Sequence, residues 1–214
     1  MKALIFDLDG TLLDTLADLH SSVNYALDRF GFPQRSMEEV RTFVGNGLRS
    51  LVRKAVPPAT SEQTVSEVLA ALKEYYIDHT YDKTRPYDGI VPMLDELKRR
   101  GFPMAIVSNK ADPMVQILRN VYFSEQIPVA VGESAEVARK PAPDMVFAAM
   151  KKLGCAAEDA VYIGDSEVDV LTAKNAGLPC FSVGWGFRTP PELSALGISE
   201  VYLSPSALLS ALIE

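Results

Sequence analysis

The chain has 214 residues, enough for one substantial core and a small second one. Its 21 Lys and Arg against 28 Asp and Glu leave a net charge of -7, which argues against nucleic acid as the main partner. Only 2 Cys are present, no run is long enough to span a bilayer, and no adequate apolar stretch lies between the Met-Lys start and Asp7. A disulfide scaffold and a membrane protein are therefore not expected, and cytoplasmic residence is the default.

In chain order, Ala3 to Phe6 read as a buried strand that stops at Asp7-Leu8-Asp9-Gly10-Thr11, where two acids and a Gly-Thr pair suit a turn. Open α/β sheets bind their ligands at that carboxyl edge. Carboxylates this close repel each other unless a cation or shared proton offsets the charge, and Mg2+, a hard ion that favours oxygen, fits. One carboxylate could then attack phosphorus while the other hands a proton to the leaving group. At this point an acidic turn and a catalytic pair are both open readings.

From Leu16 to Arg85 the pattern is helical throughout. Leu16, Leu19, Val23, Ala26, Leu27 and Phe30 recur at helical spacing before Gly31-Phe32-Pro33 ends the run. Ser36 with Glu39 predicts a capping box for a second helix through Phe43, and Gly45-Asn46-Gly47 breaks it. Leu48 to Val56 form a third helix; Val65, Val68, Leu69, Leu72 and Tyr76 mark a fourth. Gly45, Asn46 and Gly47 suit either a helix stop or turn amides that approach a small anion. Arg49 and Arg53 share one helix face, either solvated or available to a carboxylate. His20 and His79 on these helices suit surface or satisfied-core roles.

After Tyr87-Asp88-Gly89 strands alternate with helices. A helix from Val91 to Arg100 leads to the strand Met104 to Val107, which ends in Ser108-Asn109-Lys110, a hydroxyl with turn amides for phosphate oxygens. A helix near Pro113 to Asn120, a strand at Val129 to Val131, and Arg139-Lys140-Pro141 before a helix from Asp144 to Leu153 follow. The strand from Ala160 ends in Gly164-Asp165, with Asp169 in the helix behind it; a strand at Cys180 to Val183 and a helix from Ser206 close the chain. Cys155 and Cys180 suit buried free thiols. Trp185, Phe187 and Arg188 follow a strand end and either border the site or pack. The fold class is α/β: a Rossmann-like parallel sheet with helices on both faces, residues 1–15 plus 85–214, and an inserted all-helical domain, residues 16–84.

An acid pair, a hydroxyl, a lysine and a second acid pair thus occur in order. In Asp7-Leu8-Asp9-Gly10-Thr11, Ser108, Lys140 and Gly164-Asp165 with Asp169, the chain resembles the haloacid dehalogenase superfamily over nearly its whole length. The resemblance implies that Asp7 is a nucleophile forming an aspartyl-phosphate and that Asp9 is general acid and then base. It also implies that Ser108 holds a phosphoryl oxygen, that Lys140 neutralises charge, and that Asp7, Asp165 and the Asp9 carbonyl ligate Mg2+. Asp169 would orient a ligand or Lys140, Gly10 would leave room for phosphate near the backbone, Thr11 would orient the catalytic acid, and Gly10, Thr11 and Asn109 would border the substrate. The insert resembles the family's helical cap, which excludes water and reads the remainder of the substrate.

Val44-Gly45-x-Gly47, Asp9-Gly10-Thr11-Leu12-Leu13-Asp14-Thr15 and Arg85-Pro86-Tyr87-x-Gly89 narrow the resemblance to the phosphoglycolate phosphatase group, with Gly45, Asn46, Gly47 and Arg49 as candidate substrate contacts. Asp88 and Arg139 depart from that group's usual Pro and Lys. The implied partner is a small phosphorylated metabolite, with 2-phosphoglycolate first, on a monomer or homodimer. A sugar phosphate, nucleotide or pyrophosphate phosphatase, a phosphomutase, a receiver-like signalling module and a non-catalytic binding protein are the alternatives.

Overall fold

A computed structural model describes residues 2–214. Strand β1 (Ala3–Phe6) sends Leu4 and Phe6 into one apolar layer and Ala3 and Ile5 into another, with all four buried. A strand covered on both faces has no polar side, so it reads as an unbroken apolar run. Strands β2 (Leu13–Asp14) and β3 (Arg85–Pro86) form a two-stranded sheet. The main sheet joins β1 to β4 (Met104–Ala111), β5 (Val129–Glu133), β6 (Ala160–Gly164), β7 (Cys180–Val183) and β8 (Val201–Tyr202), in the order β5-β4-β1-β6-β7-β8. Its pairings are parallel.

The chain divides into two compact units, Thr15–Arg85 and the remainder. The first holds helices α1 (Leu16–Arg29), α2 (Met37–Phe43), α3 (Gly47–Ala55) and α4 (Glu62–Asp78). Leu19, Val23, Ala26 and Leu27 of α1 are buried, as are Val65, Val68, Leu72 and Tyr76 of α4, the stripe that three- and four-residue spacing requires. The capping box at Ser36 forms, with Glu39 N–H donating to Ser36 Oγ and Ser36 N–H to the Glu39 carboxylate. Buried Asp18 accepts hydrogen bonds from Lys83 N–H, Thr84 N–H and Thr84 Oγ1 at 2.8–3.0 Å, tying the two ends of this unit together. His20 pairs with Arg35 O and Asn24, and half-buried His79 with Asp82.

In the other unit, α5 (Ile90–Arg99), α6 (Asp112–Tyr122) and α10 (Pro205–Ile213) cover the Leu4 and Phe6 face through Ile90, Leu94, Val115, Leu118 and Leu208. Helices α7 (Asp144–Leu153) and α8 (Glu167–Ala176) cover the opposite face through Met145, Val146, Ala149, Ala173 and Ala176. Burying such a Leu, Ile, Val or Met contributes about 1.5–3 kcal/mol each.

Some details differ from the sequence reading. Ser108, Asn109 and Lys110 do not form a turn beyond β4: the strand runs on to Ala111. Between Val107, opposite Val131, and Ala111, opposite Glu133, β4 uses four steps against two on β5, a local irregularity in the pairing. A short helix α9 (Pro190–Ala195) and the edge strand β8 were not anticipated. Both cysteines are free but half-buried, and desolvation pushes the Cys180 thiol up to about 12.

Candidate active site

Three neighbouring strands deliver the chemistry to one edge of the sheet. Chain connections run from β1 outward to β4 and β5 on one side, and to β6, β7 and β8 on the other, so β1 marks the switch point. Asp7 follows β1, Asp165 follows β6, and Ser108 lies towards the carboxyl end of β4. Lys140 sits four residues ahead of α7 and Asp169 in the first turn of α8.

Lys140 Nζ lies 2.8 Å from Asp7 Oδ1 and 2.8 Å from Asp169 Oδ1. It also donates to the Tyr162 hydroxyl at 3.1 Å, which in turn donates to Asp169 Oδ1 at 3.2 Å. The other oxygen of Asp169 accepts from Ser166 N–H and Oγ at 3.1 and 2.6 Å. Asp165 accepts from Thr11 Oγ1 at 3.2 Å and from Phe187 N–H at 2.7 Å. All of these charged groups are buried.

Carboxylate oxygens of Asp7, Asp165 and Asp169 lie within 4.8 Å of one another, beside the Lys140 ammonium. Burial pushes the Asp7 carboxyl well above its usual range; Lys140 pulls it down, but Asp169 and Asp165 push it further up. Burial and the neighbouring Asp169 raise Asp165 to about 7. Burial opposes the charge on Lys140, yet Asp169 and Asp7 outweigh it and hold that ammonium charged. An all-oxygen, buried, under-neutralised donor set is what a hard divalent cation requires, so these residues fit one.

Room for such a ligand comes from glycine. Gly10 has φ +92°, and a Cβ there would stand 2.5 Å from Asp165 Oδ2, so a side chain at this position is excluded twice over. Trp185 Nε1 donates to Thr11 O at 2.9 Å, so that residue braces the first loop as well as packing. Arg188 is bound to Glu167 at 2.9 and 3.0 Å.

Strand alternation sorts the end of β4 into two jobs. Ser108 and Lys110 face Asp9: Lys110 Nζ is 2.8 Å from Asp9 Oδ1, and Ser108 Oγ is 3.5 Å from Asp9 Oδ2. Asn109 faces the other way and grips the main chain of Lys140, accepting from its N–H at 2.8 Å and donating to its carbonyl at 3.1 Å. Asn109, expected beside the phosphate, thus commits its side chain to Lys140.

Asp7, Asp9, Gly10, Thr11, Ser108, Lys140, Asp165 and Asp169 all belong to this one assembly. Gly45, Asn46, Gly47 and Arg49 belong to the helical unit. There Gly45 and Gly47 have φ +123° and +77°, and Asn46 precedes α3. Arg49 is exposed, 2.7 Å from Glu62 and bonded to Ser66, while Arg53 donates to Thr60 O. Lys110, Tyr162 and Phe187 N–H were missed. Carrying the period-two pattern of β4 three residues further would have paired Lys110 with Ser108.

The model of the haloacid dehalogenase-like hydrolase family matches residues 4–183. Phosphoglycolate phosphatase 1 of Pseudomonas aeruginosa is 36% identical over 193 residues, covering 87% of this chain and 71% of its own. A phosphoglycolate phosphatase of Vibrio parahaemolyticus is 33% identical over 216 residues, covering 98% and 95%. A crystal structure from Lactobacillus delbrueckii subsp. bulgaricus superposes with a TM-score of 0.93 at 36% identity, over 99% of this chain and 98% of that one. With the acidic cluster, its lysine and the parallel sheet agreeing with these likenesses, the chain belongs to the haloacid dehalogenase-like hydrolases.

Proposed function

We propose that the protein is a Mg2+-dependent phosphomonoester phosphatase that works through an aspartyl-phosphate on Asp7, with 2-phosphoglycolate as its substrate. The observation that carries this reading is the Asp7 carboxylate held 2.8 Å from Lys140 among further buried carboxylates. A carboxylate so placed is oriented as a nucleophile, and its lysine offsets the charge brought by a phosphate dianion.

In the first step an Asp7 oxygen bonds to phosphorus as the bond from phosphorus to the leaving alkoxide breaks, and Asp9 gives that oxygen its proton. In the second, Asp9 takes a proton from water as the water oxygen bonds to phosphorus; the bond to Asp7 breaks and inorganic phosphate leaves. Ser108 supports the phosphoryl oxygens. The Asp7 and Asp165 carboxylates, with the Asp9 main-chain carbonyl, would hold Mg2+, which supplies neutralising charge at the phosphoryl group. Asp169 has both oxygens engaged by Lys140, Tyr162 and Ser166, so its role is to orient Lys140.

The 2-phosphoglycolate assignment rests on relatives whose names carry that substrate, at 33–36% identity. The helical unit is assigned the role of cap, with the turn amides at Gly45-Asn46-Gly47 and Arg49 as readers of the substrate carboxylate. Arg49 would exchange Glu62 for that carboxylate. Among the described residues no helix is long and apolar enough to cross a membrane, and cytoplasmic residence belongs to the same reading.

The test is phosphate release with Mg2+ from 2-phosphoglycolate beside sugar phosphates, nucleotides, pyrophosphate and 4-nitrophenyl phosphate, with Asp7→Asn as the blank. The expected outcome is a kcat/KM for 2-phosphoglycolate well above the rest and loss of all turnover in the variant. Turnover that survives in Asp7→Asn would sink the mechanism; a sugar phosphate that outruns 2-phosphoglycolate would sink the substrate alone.

A further inference from the structure

We propose that Lys110 is a positioning residue for proton transfer: its ammonium fixes Asp9 Oδ1, leaving Oδ2 as the oxygen that gives and takes the proton. The proposal rests on the reading of Asp9 as acid and base given above. Its basis is geometric. Lys110 Nζ lies 2.8 Å from Asp9 Oδ1, with the lysine side chain only 3% exposed and that of Asp9 15%.

Burying an ammonium is costly unless a partner is fixed in place, and here the partner is the acid itself. The backbone is shaped to the same end. Two residues apart on β4, Ser108 and Lys110 both reach Asp9, while Asn109 between them holds the Lys140 main chain. Lys110 N–H also donates to Ser108 Oγ at 3.2 Å, so the hydroxyl and the ammonium that face Asp9 are held as a unit. Contact at Oδ1 is short and charged, whereas contact at Oδ2 is a loose 3.5 Å. A carboxyl fixed through one oxygen presents the other in a defined direction, as proton transfer within hydrogen-bond reach demands.

The readout is leaving-group dependence, which a purely structural role does not move. An alkoxide leaving from 2-phosphoglycolate needs a proton from Asp9; a nitrophenolate does not. In Lys110→Met, kcat/KM, which reports formation of the phosphoenzyme, should fall about 10²-fold for 2-phosphoglycolate and stay within about threefold for 4-nitrophenyl phosphate. Asp9→Asn is the reference and should show the same selectivity in stronger form, with the double variant adding little to it. Lys110→Arg, which keeps the charge, should recover part of the alkyl-phosphate rate. Should the Met variant fail to fold, as read by its thermal melt, Lys110→Arg and Lys110→Gln carry the comparison, with Arg retaining more alkyl-phosphate rate than Gln.

Equal losses on both substrates, or none, in a folded Lys110 variant beside a selective Asp9→Asn would overturn the proposal and leave the Asp9 reading intact. A non-selective Asp9→Asn would overturn the Asp9 reading and this proposal with it.

Discussion

Lys140 Nζ stands 2.8 Å from Asp169 Oδ1, a pair whose side chains are 3% and 0% exposed. Since the same ammonium also lies 2.8 Å from Asp7, the lysine links the carboxylate that follows β1 to one in the helix that follows the neighbouring strand β6. Tyr162 bonds to both members of the pair, and Asn109 fixes the lysine main chain, so the residue is held at both ends.

Lys140→Met should therefore fail in two ways at once. It leaves Asp7 and Asp169 buried without their cation, a loss of about 3–5 kcal/mol, and turnover should fall below detection. Urea denaturation with Mg2+ present and phosphate release measure the two effects separately. Tyr162→Phe, which removes one hydroxyl and keeps the packing, should cost about 1–2 kcal/mol and reduce rather than abolish turnover.

Metal removal should make stability pH-dependent in an identifiable direction. Asp165 is raised in the folded state from about 3.8 to about 7, so between those values the folded protein retains a proton that the unfolded chain has released. Stability in chelator should then fall as pH rises from about 4 to about 7, by at most about 4 kcal/mol for this group. Asp7 acts in the same direction. Thermal melts in chelator across that range, wild type against Asp165→Asn, isolate the effect, and added Mg2+ should reverse it near pH 7. Identical pH profiles for the two proteins would refute it.

Gly10→Ala tests the space beside Asp165. The added methyl meets the carboxylate at 2.5 Å on a backbone with φ +92°. We expect about 1–3 kcal/mol of destabilisation and at least a tenfold weaker Mg2+ requirement curve, read as the concentration for half-maximal turnover.

In the helical unit, Asp18→Ala removes the acceptor for Lys83 N–H, Thr84 N–H and Thr84 Oγ1. A loss of about 2–3 kcal/mol is expected, with hydrogen exchange at the Lys83 and Thr84 amides rising well above that of the α1 and α4 interiors. Asp18→Asn retains an acceptor and should lose less.

What the sequence displayed best was whatever local chemistry decides. The Ser36 and Glu39 capping box, the stripe from Leu19 to Leu27 and the apolar run into Asp7 each report a neighbourhood of a few residues, and each formed. The motif residues Asp7, Ser108, Lys140 and Asp165 were legible through their order, since each stands at or near a strand end or helix start. Lys110 was not, because the apolar run that marks β4 stops at Val107 and nothing local pairs its ammonium with a carboxylate 101 residues away. Tyr162 was hidden for another reason: inside β6 it looks like one more core aromatic, and only the fold aims its hydroxyl at Lys140. Edge strand β8, with two residues, is too short for any periodicity to register.

The hold of Asp18 on Thr84 bears on how such a chain can change over time. An insertion of 71 residues, Thr15–Arg85, would burden its host with loop closure if its ends wandered; here its own helix α1 clasps its last turn. A segment that closes on itself behaves as a cassette: it can be lengthened, shortened or exchanged at two points without asking the sheet to refold. On the proposed reading of that unit as the cap, selectivity and phosphoryl chemistry can then be inherited separately, one altered while the other is kept.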